Sequence, residues 1–364
     1  MEIRHYTEDL EVAVAAFNSR LREGGDREYR FPEKHISQVP NLAGQDNHYL
    51  EGFLLVDDSN VRGGYLLLHQ KFVIRGETQY IRNFQLPISE GIVNRNYSLV
   101  AIRMLRHALN QHSLLFSLGM GGVQGRLAKL LTAVGWQLER VPFYFKILNA
   151  SEFLANISYL RADSGKSFVL DLLRYSGIGW AALRVAQFRV RRRCRAVAHA
   201  VGRFETWADS IWDQCNQHYS FLAVRDSQTL NALYSEPRFL CFKISRADQT
   251  IGWVVMLDTR MSGHKHFGNM RVGSIVDCMA RPEDAGCVTR CASDLLQSRG
   301  VDLIVTNQAC SAWCDALSKN GFLSGPSNFV LAISPDLFQK LRPFETIKNG
   351  IHMNRGDGDG PINL

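Results

Sequence analysis

The order of hydrophobic and polar positions repeats itself along this chain. Residues 61–146 and residues 248–330 each show a strand led by glycine, a second strand, an irregular loop, a helical stretch and a short apolar strand. Each then ends in a helix closed by glycine and an aromatic residue, Gly135-Trp136 in the first half and Gly321-Phe322 in the second. A repeat of this length has the size of a domain and exceeds a solenoid period. The pattern predicts two like domains.

The elements of each half follow from apolar periodicity and turn residues. In the first half we predict helices over 9–22, 97–111 and 125–134, and strands over 49–57, 63–74, 79–86, 114–118 and 142–148. In the second half we predict helices over 204–217, 283–299 and 311–319, and strands over 239–245, 251–259, 270–279, 303–306 and 327–333. The predicted limits are residues 1–149 for the first domain, 150–203 for a helical connector, 204–335 for the second domain and 336–364 for a tail.

The net charge of +7 is concentrated in the connector. Its twenty residues from 184 to 203 contain seven arginines and no acid, namely Arg184, Arg189, Arg191, Arg192, Arg193, Arg195 and Arg203. One interpretation is a solvated helix packed across both domains. The other is a helix lying on an anionic surface, either the inner leaflet of a membrane or nucleic acid.

Composition limits the class of protein. With 46% hydrophobic and 21% charged residues, the chain is an ordinary globular one. Its longest apolar segment, residues 168–188, is interrupted by charges, and the N-terminus lacks the apolar core of a signal peptide. We therefore expect a cytoplasmic protein. The eight cysteines and the histidines lack the spacing typical of metal ligands, so we predict buried free thiols and no metal.

The order of elements resembles the GNAT (Gcn5-related N-acetyltransferase) superfamily. The segment Thr306-Asn307-Gln308-Ala309 and the helix end before Gly321-Phe322 carry the resemblance in the second half, and residues 127–136 carry it in the first. Two such domains in one chain also resemble the FemAB-like branch, which is linked to cell-wall and polysaccharide assembly. The segment Val224-Arg225-Asp226-Ser227 is similar to polysaccharide-linked members. The resemblance implies an α+β fold with two domains, each a mixed, mostly antiparallel sheet flanked by helices.

The family binds the pyrophosphate of acetyl-CoA or another acyl-CoA at a helix N-terminus, through a glycine-containing loop. Neither half keeps that loop intact. In the first half, residues 89–98 offer Gly91, Arg95 and Ser98 as donors. In the second half, residues 281–287 contain Glu283 and Asp284, which would repel phosphate. The first loop is the better anion site.

The other site residues are assigned from the resemblance and from local pattern. Glu90 directly follows the central strand and is the first candidate for the general base, with Asp277 as the second. An acid within the apolar run 274–279 is costly to bury unless it is paired, so structural pairing of Asp277 with an arginine is the competing interpretation. Tyr97 and Tyr144 are candidates for the acid. Asn307, Gly119 and Gly121 would line the path of the carrier.

The predicted activity is transfer of an acyl group, by preference acetyl, to an amine of a sugar or cell-surface precursor. One alternative is a non-catalytic scaffold bound to the inner face of a membrane through residues 184–203, and another is aminoacyl transfer from tRNA, with the connector contacting phosphates. For the Gly-Asp-rich tail at 355–361, the two interpretations are a frayed terminus and a tail folded back over the cleft.

Overall fold

The computed structural model describes residues 1–35, 48–156 and 194–358. Because residues 157–193 are outside that part, the arginines from Arg184 to Arg193 have no structural account. The helices are α1 Glu11–Glu23, α2 Val100–Gln111, α3 Arg126–Ala133, α4 Ala150–Asn156, α5 Thr206–Cys215, α6 Ser227–Leu233, α7 Ala285–Ser298, α8 Ser311–Lys319, α9 Pro335–Lys340 and α10 Phe344–Ile347.

Fourteen of the described strands form two mixed sheets, and the other two, Phe221–Ala223 and Ile351–His352, pair with each other in parallel. In chain order the strands are β1 Glu2–His5, β2 His48–Asp57, β3 Asn60–Ile74, β4 Glu77–Ser89, β5 Leu115–Leu118, β6 Gln137–Arg140, β7 Phe143–Ile147, β8 Val197–Ala200, β9 Phe221–Ala223, β10 Leu240–Arg246, β11 Gln249–Arg260, β12 Arg271–Ala280, β13 Leu303–Asn307, β14 Leu323–Gly325, β15 Val330–Ile333 and β16 Ile351–His352.

The chain forms two compact units. Unit 1 comprises residues 1–140 and 328–345, and unit 2 comprises residues 141–327 and 346–364. The sheet of unit 1 has the order β1-β2-β3-β4-β5-β15-β6, and the sheet of unit 2 has the order β14-β7-β13-β12-β11-β10-β8. In each sheet one central pair is parallel, β4 with β5 and β12 with β13, while the other neighbours are antiparallel. The predicted fold class is confirmed.

The two units do not follow the predicted limits, because each sheet takes a strand from the other half of the sequence. Strand β7 pairs with β13, with Val305 opposite Phe145, and strand β15 pairs with β5 and β6. Both strands were predicted at nearly these positions, but as the last strands of their own halves. An apolar strand is compatible with any sheet that has a free edge, so its pattern does not identify its neighbour.

The connector is also different from the prediction where the structure describes it. Residues 150–156 are helical as expected, but Val197–Ala200 forms strand β8, which pairs with β10. Arg195 and Arg203 are exposed. Among the described residues, no helix is long and apolar enough to span a membrane.

The core of unit 1 has two layers, one on each face of its sheet. Side chains of α2 pack on one face against β2, β3 and β4, with Met104 and Tyr65 wholly buried. Helix α1 packs on the other face, where Phe17 and Leu54 are wholly buried. Burying an aromatic or leucine side chain contributes about 1.5–3 kcal/mol relative to exposure. These layers hold the loop between β4 and α2 in place.

Candidate active site

The parallel strands at the centre of each sheet separate after a short paired stretch. In unit 1, β4 and β5 pair only at Arg82–Leu115 and Asn83–Phe116. In unit 2, β12 and β13 pair over Val272–Ser274 and Leu303–Val305. A register shift bends each of these central strands against its antiparallel neighbour, between Gly64 and Leu66 in unit 1 and between Val255 and Met256 in unit 2. β-Bulges of this kind redirect a strand, and each sheet is left with a gap beside its centre.

The gap of unit 2 is filled by the tail of the chain. Asn354 forms an isolated bridge with Gln308 just beyond β13, and its amide donates to the Asp277 carboxylate of β12 at 2.7 Å. The backbone N–H of Ala309 donates to the carbonyl of Met353 at 2.9 Å. Residues 351–358 of the tail are therefore folded back within unit 2 and are not frayed.

A buried charge network holds the tail. Arg225 donates to Asp277 at 2.6 Å and to Asp357 at 2.5 Å, and the Tyr234 hydroxyl donates to Asp277 at 2.6 Å. The Arg225, Asp277 and Asp357 side chains are all at most 3% exposed. Burial alone would raise the pKa of Asp277, but Arg225 and Tyr234 bring it below its usual value. For Asp357, burial raises the pKa to about 6.

Asp277 is thus paired with an arginine, which was the sequence-based alternative to a role as general base. Its two oxygens are occupied by Arg225, Tyr234 and Asn354, and by the N–H of Cys278 at 2.8 Å. An acid in an apolar strand implied a buried cation, but nothing in the spacing pointed to Arg225, which lies 52 residues earlier. The amide oxygen of Asn307 accepts from Arg355 at 3.2 Å.

In unit 1, the loop between β4 and α2 brings together five of the predicted residues, Glu90, Gly91, Arg95, Tyr97 and Ser98. It consists of two short 3-10 turns, Glu90–Ile92 and Arg95–Tyr97, which begin at Ser89 and Asn94 with side-chain caps. A Cβ atom at Gly91 would lie 2.6 Å from the carbonyl oxygen of Tyr97. Only glycine permits the two turns to pack this closely.

Glu90 is buried in this loop between two arginines. Arg62 donates to its two oxygens at 3.0 and 3.1 Å, and Arg20 donates at 3.3 Å. The Arg62 guanidinium also lies over the Tyr97 ring, 4.3 Å from its centroid. The Glu90 carboxylate is therefore engaged by two arginine side chains. Its evident effect is to fix the loop against α1 and β3.

The helix after this loop begins without a side-chain cap. Leu99 stands at the N-cap of α2, and the first turn of α2 contains no acid. Arg95 and Ser98 are exposed beside it, and Arg126 reaches the same loop by donating to the carbonyl of Ile92 at 3.2 Å. The free N–H groups, the helix dipole and these cations favour an anion at this point.

The N-terminus of the corresponding helix in unit 2, α7, carries acidic side chains instead of cations. Asp284 is the N-cap of α7 and makes an ion pair with Arg246 at 2.7 Å, and Glu283 is exposed next to it. The acids expected from the sequence therefore do lie where phosphate would sit.

The remaining predicted residues lie apart from both loops. Gly119 and Gly121 follow β5 with φ of 99° and 73°, a conformation that glycine adopts without strain, and the Phe329 ring covers Gly119. Tyr144 lies on β7 in unit 2, where burial raises the pKa of its hydroxyl. Its side-chain neighbours are Cys314 and Ser318 of α8, so Tyr144 packs on a helix.

Three side chains of unit 1 are close enough for a shared cation, although the sequence showed no ligand spacing. The nearest ligand atoms of Glu51, His69 and His112 all lie within 4.8 Å of one another. However, His69 hydrogen-bonds Glu51 through Nε2 at 2.6 Å and receives the Arg82 guanidinium at Nδ1, 3.2 Å away. Both ring nitrogens are therefore engaged, and a cation would have to displace Glu51 or Arg82. Burial lowers the pKa of His112 to about 4.

We expect Glu90→Gln to destabilise unit 1 by about 1–3 kcal/mol, because it leaves two arginines without their shared carboxylate. Urea unfolding followed through Trp136, which is buried in unit 1, measures the change. Glu77→Gln is the matched control, since Glu77 is exposed at the start of β4. Equal stability of the two variants would contradict the structural role of Glu90.

No protein-family model matches the chain, and no curated protein sequence does. Solved structures nevertheless share its fold. N-myristoyltransferase from Saccharomyces cerevisiae, determined with bound myristoyl-CoA and inhibitors, is 10% identical, with 92% of this chain and 79% of that chain covered and a TM-score of 0.51. A conserved protein of unknown function from Enterococcus faecalis V583, described as a probable N-acyltransferase, is 9% identical, with coverages of 93% and 74% and a TM-score of 0.50. At such identities the likeness concerns the fold, and this chain has the tandem GNAT-like fold that its sequence predicted.

Proposed function

We propose that the protein is an N-acyltransferase that uses an acyl-CoA and binds it in unit 1. The observation that carries this proposal is the difference between the two gaps. The gap of unit 2 holds residues 351–358 of the chain, whereas in the described part of unit 1 no strand pairs with the facing edges of β4 and β5 beyond Asn83 and Phe116. A carrier arm needs a gap of this kind between two strands.

The pyrophosphate of the carrier would lie at the N-terminus of α2. Its N–H groups lack a side-chain cap, and Arg95 and Arg126 add positive charge. The one carboxylate in the loop, Glu90, is neutralised by Arg20 and Arg62. Backbone donors and fixed cations together favour phosphate by electrostatics and hydrogen bonding.

The reaction transfers the acyl group from sulfur to nitrogen. The neutral amine attacks the thioester carbonyl, the C–S bond breaks, the amine loses one proton and the thiolate of coenzyme A gains one. We propose Tyr97 as the proton donor to the departing sulfur, because no described residue hydrogen-bonds its hydroxyl. Glu90 acts as a positioning residue that holds Arg62 and the loop. As acceptor we propose an amine of a sugar or cell-surface precursor, supported by the resemblance of the Val224–Ser227 segment to polysaccharide-linked proteins.

Isothermal titration with acetyl-CoA and with longer acyl-CoAs tests the site. We expect Arg95→Glu to weaken binding about tenfold or more, because a negative charge beside pyrophosphate costs about 1 kcal/mol and the lost arginine adds to it. Arg281→Glu is the matched control, since Arg281 is exposed at the equivalent end of β12 in unit 2.

Two outcomes would overturn the proposal. If no acyl-CoA binds the unaltered protein, acyl-CoA is not its substrate. If Arg281→Glu weakens binding while Arg95→Glu does not, the carrier binds unit 2. Release of free thiol in the presence of amine acceptors then measures transfer itself.

A further inference from the structure

Arg355 is a cation without a counter-charge among the described residues. Its side chain is partly buried, and the one side-chain hydrogen bond that it makes with a described residue is with the neutral amide oxygen of Asn307, at 3.2 Å from Nη1. Its Nε atom is covered and has no hydrogen-bond partner in the part of the chain that the structure describes. Burial lowers the pKa of the Arg355 guanidinium to about 10, and no charged group in the described part of the chain offsets this. Removing a guanidinium from water in this way is costly unless an anion compensates.

Arg225, a buried arginine of the same unit, has the carboxylate partners that Arg355 lacks among the described residues. Arg225 is only 3% exposed and makes ion pairs with both Asp277 and Asp357. The second oxygen of Asp357 accepts from the N–H of Asn354 at 2.9 Å. The carboxylates of Asp277 and Asp357 therefore pair with Arg225 and with the backbone of the turn, and neither forms an ion pair with Arg355.

The backbone holds Arg355 in place. Asn354 and Asp357 form a reciprocal capping box around the turn Arg355–Asp357. Gly356 packs against Asp277 and the Tyr234 hydroxyl so closely that a side chain there would collide with them. The turn cannot shift to bring the guanidinium back into water without breaking this network, so Arg355 is presented rigidly beside the end of β13.

We propose that Arg355, with Asn307 beside it, binds the oxyanion of a small molecule, a carboxylate or a phosphate group, at the end of strand β13 in unit 2. A planar guanidinium matches both groups through paired N–H donors. The anion would supply the missing counter-charge, and the rigid turn means that little conformational entropy is lost on binding. The site does not depend on acyl transfer, so it stands or falls separately from the proposed function.

Arginine-selective NMR of the intact protein tests this site with inorganic phosphate and with succinate as probes. We expect the Arg355 Nε–H signal, assigned by its loss in Arg355→Lys, to shift on addition of at least one probe. The probe that binds more tightly, phosphate or succinate, identifies the class of anion. In Arg355→Met we expect binding to weaken at least tenfold, while Arg238→Met, which alters an exposed arginine of the same unit, leaves it unchanged.

If Arg355→Met fails to fold, the titration of the unaltered protein still tests the proposal. An Arg355 signal that neither anion moves at concentrations that shift exposed arginines would overturn the proposal. Equal shifts at Arg355 and at exposed arginines would also overturn it, because they indicate screening by salt and no specific site.

Discussion

Replacing Arg225 with methionine is expected to destabilise unit 2 by about 3–5 kcal/mol. The substitution leaves Asp277 and Asp357 buried side by side without their shared cation, at 0% and 1% exposure. Since whole domains are stable by only about 5–15 kcal/mol, this is a large share of the total. Urea unfolding followed by the fluorescence of Trp253 and Trp313, both buried in unit 2, measures the loss.

The control and the rescue separate the charge network from general damage. Arg281→Met changes an exposed arginine of the same unit and should alter stability by less than about 0.5 kcal/mol. Adding Asp277→Asn and Asp357→Asn to Arg225→Met should recover part of the loss, because neutral amides are far less costly to bury than unpaired carboxylates. A triple variant as unstable as the sum of its single changes would contradict the network.

Acid is expected to destabilise unit 2 through His352. This side chain is 3% exposed, packs against Tyr219 and Trp313 and has an Nε2 atom without a partner. Burial lowers its pKa to about 4, with Arg225 lowering and Asp277 raising it. The unfolded histidine binds its proton near pH 6.5. Between pH 6.5 and pH 4 the unfolded state therefore holds more protons, and stability falls as pH falls.

The size of the effect follows from the two pKa values. At pH 5 the histidine should cost about 2 kcal/mol relative to pH 7. Asp357 acts in the opposite direction, because its raised pKa of about 6 stabilises the folded state as pH falls through 6. The difference between the unaltered protein and His352→Phe isolates the histidine. His218→Phe, at an exposed position of unit 2, is the control. A difference independent of pH would show that His352 is not held neutral.

Much of the local structure could be predicted from the sequence because it depends on neighbours along the chain. The helix before Gly135-Trp136 and the strand 114–118 appear within a few residues of their predicted positions. The loop between β4 and α2 was also recognisable, since Gly91, Arg95 and Ser98 lie two to nine residues before the start of the helix. Periodicity and turn chemistry report such features directly.

The environment of Glu90, the candidate base, could not be predicted in this way, because it is formed by segments that are distant in sequence. Glu90 lies at the predicted place, yet Arg20 and Arg62 reach it from α1 and β3 and make it a structural ion pair. Likewise, Asp277 is 52 residues from its partner Arg225 in the sequence. It is 77 residues from Asn354, the residue of the tail to which it is hydrogen-bonded. No spacing rule connects residues that meet only after folding.

The sequence by itself determined that the chain carries two copies of one α+β pattern, and that the loop before the helix contains two acids in the second copy. Only the tertiary structure decided that β7 and β15 exchange sheets and that the tail enters the gap of the second unit. The physical reason is the same in each case. Helices and turns depend on contacts a few residues apart, whereas strand pairing and buried charge depend on which distant groups satisfy them.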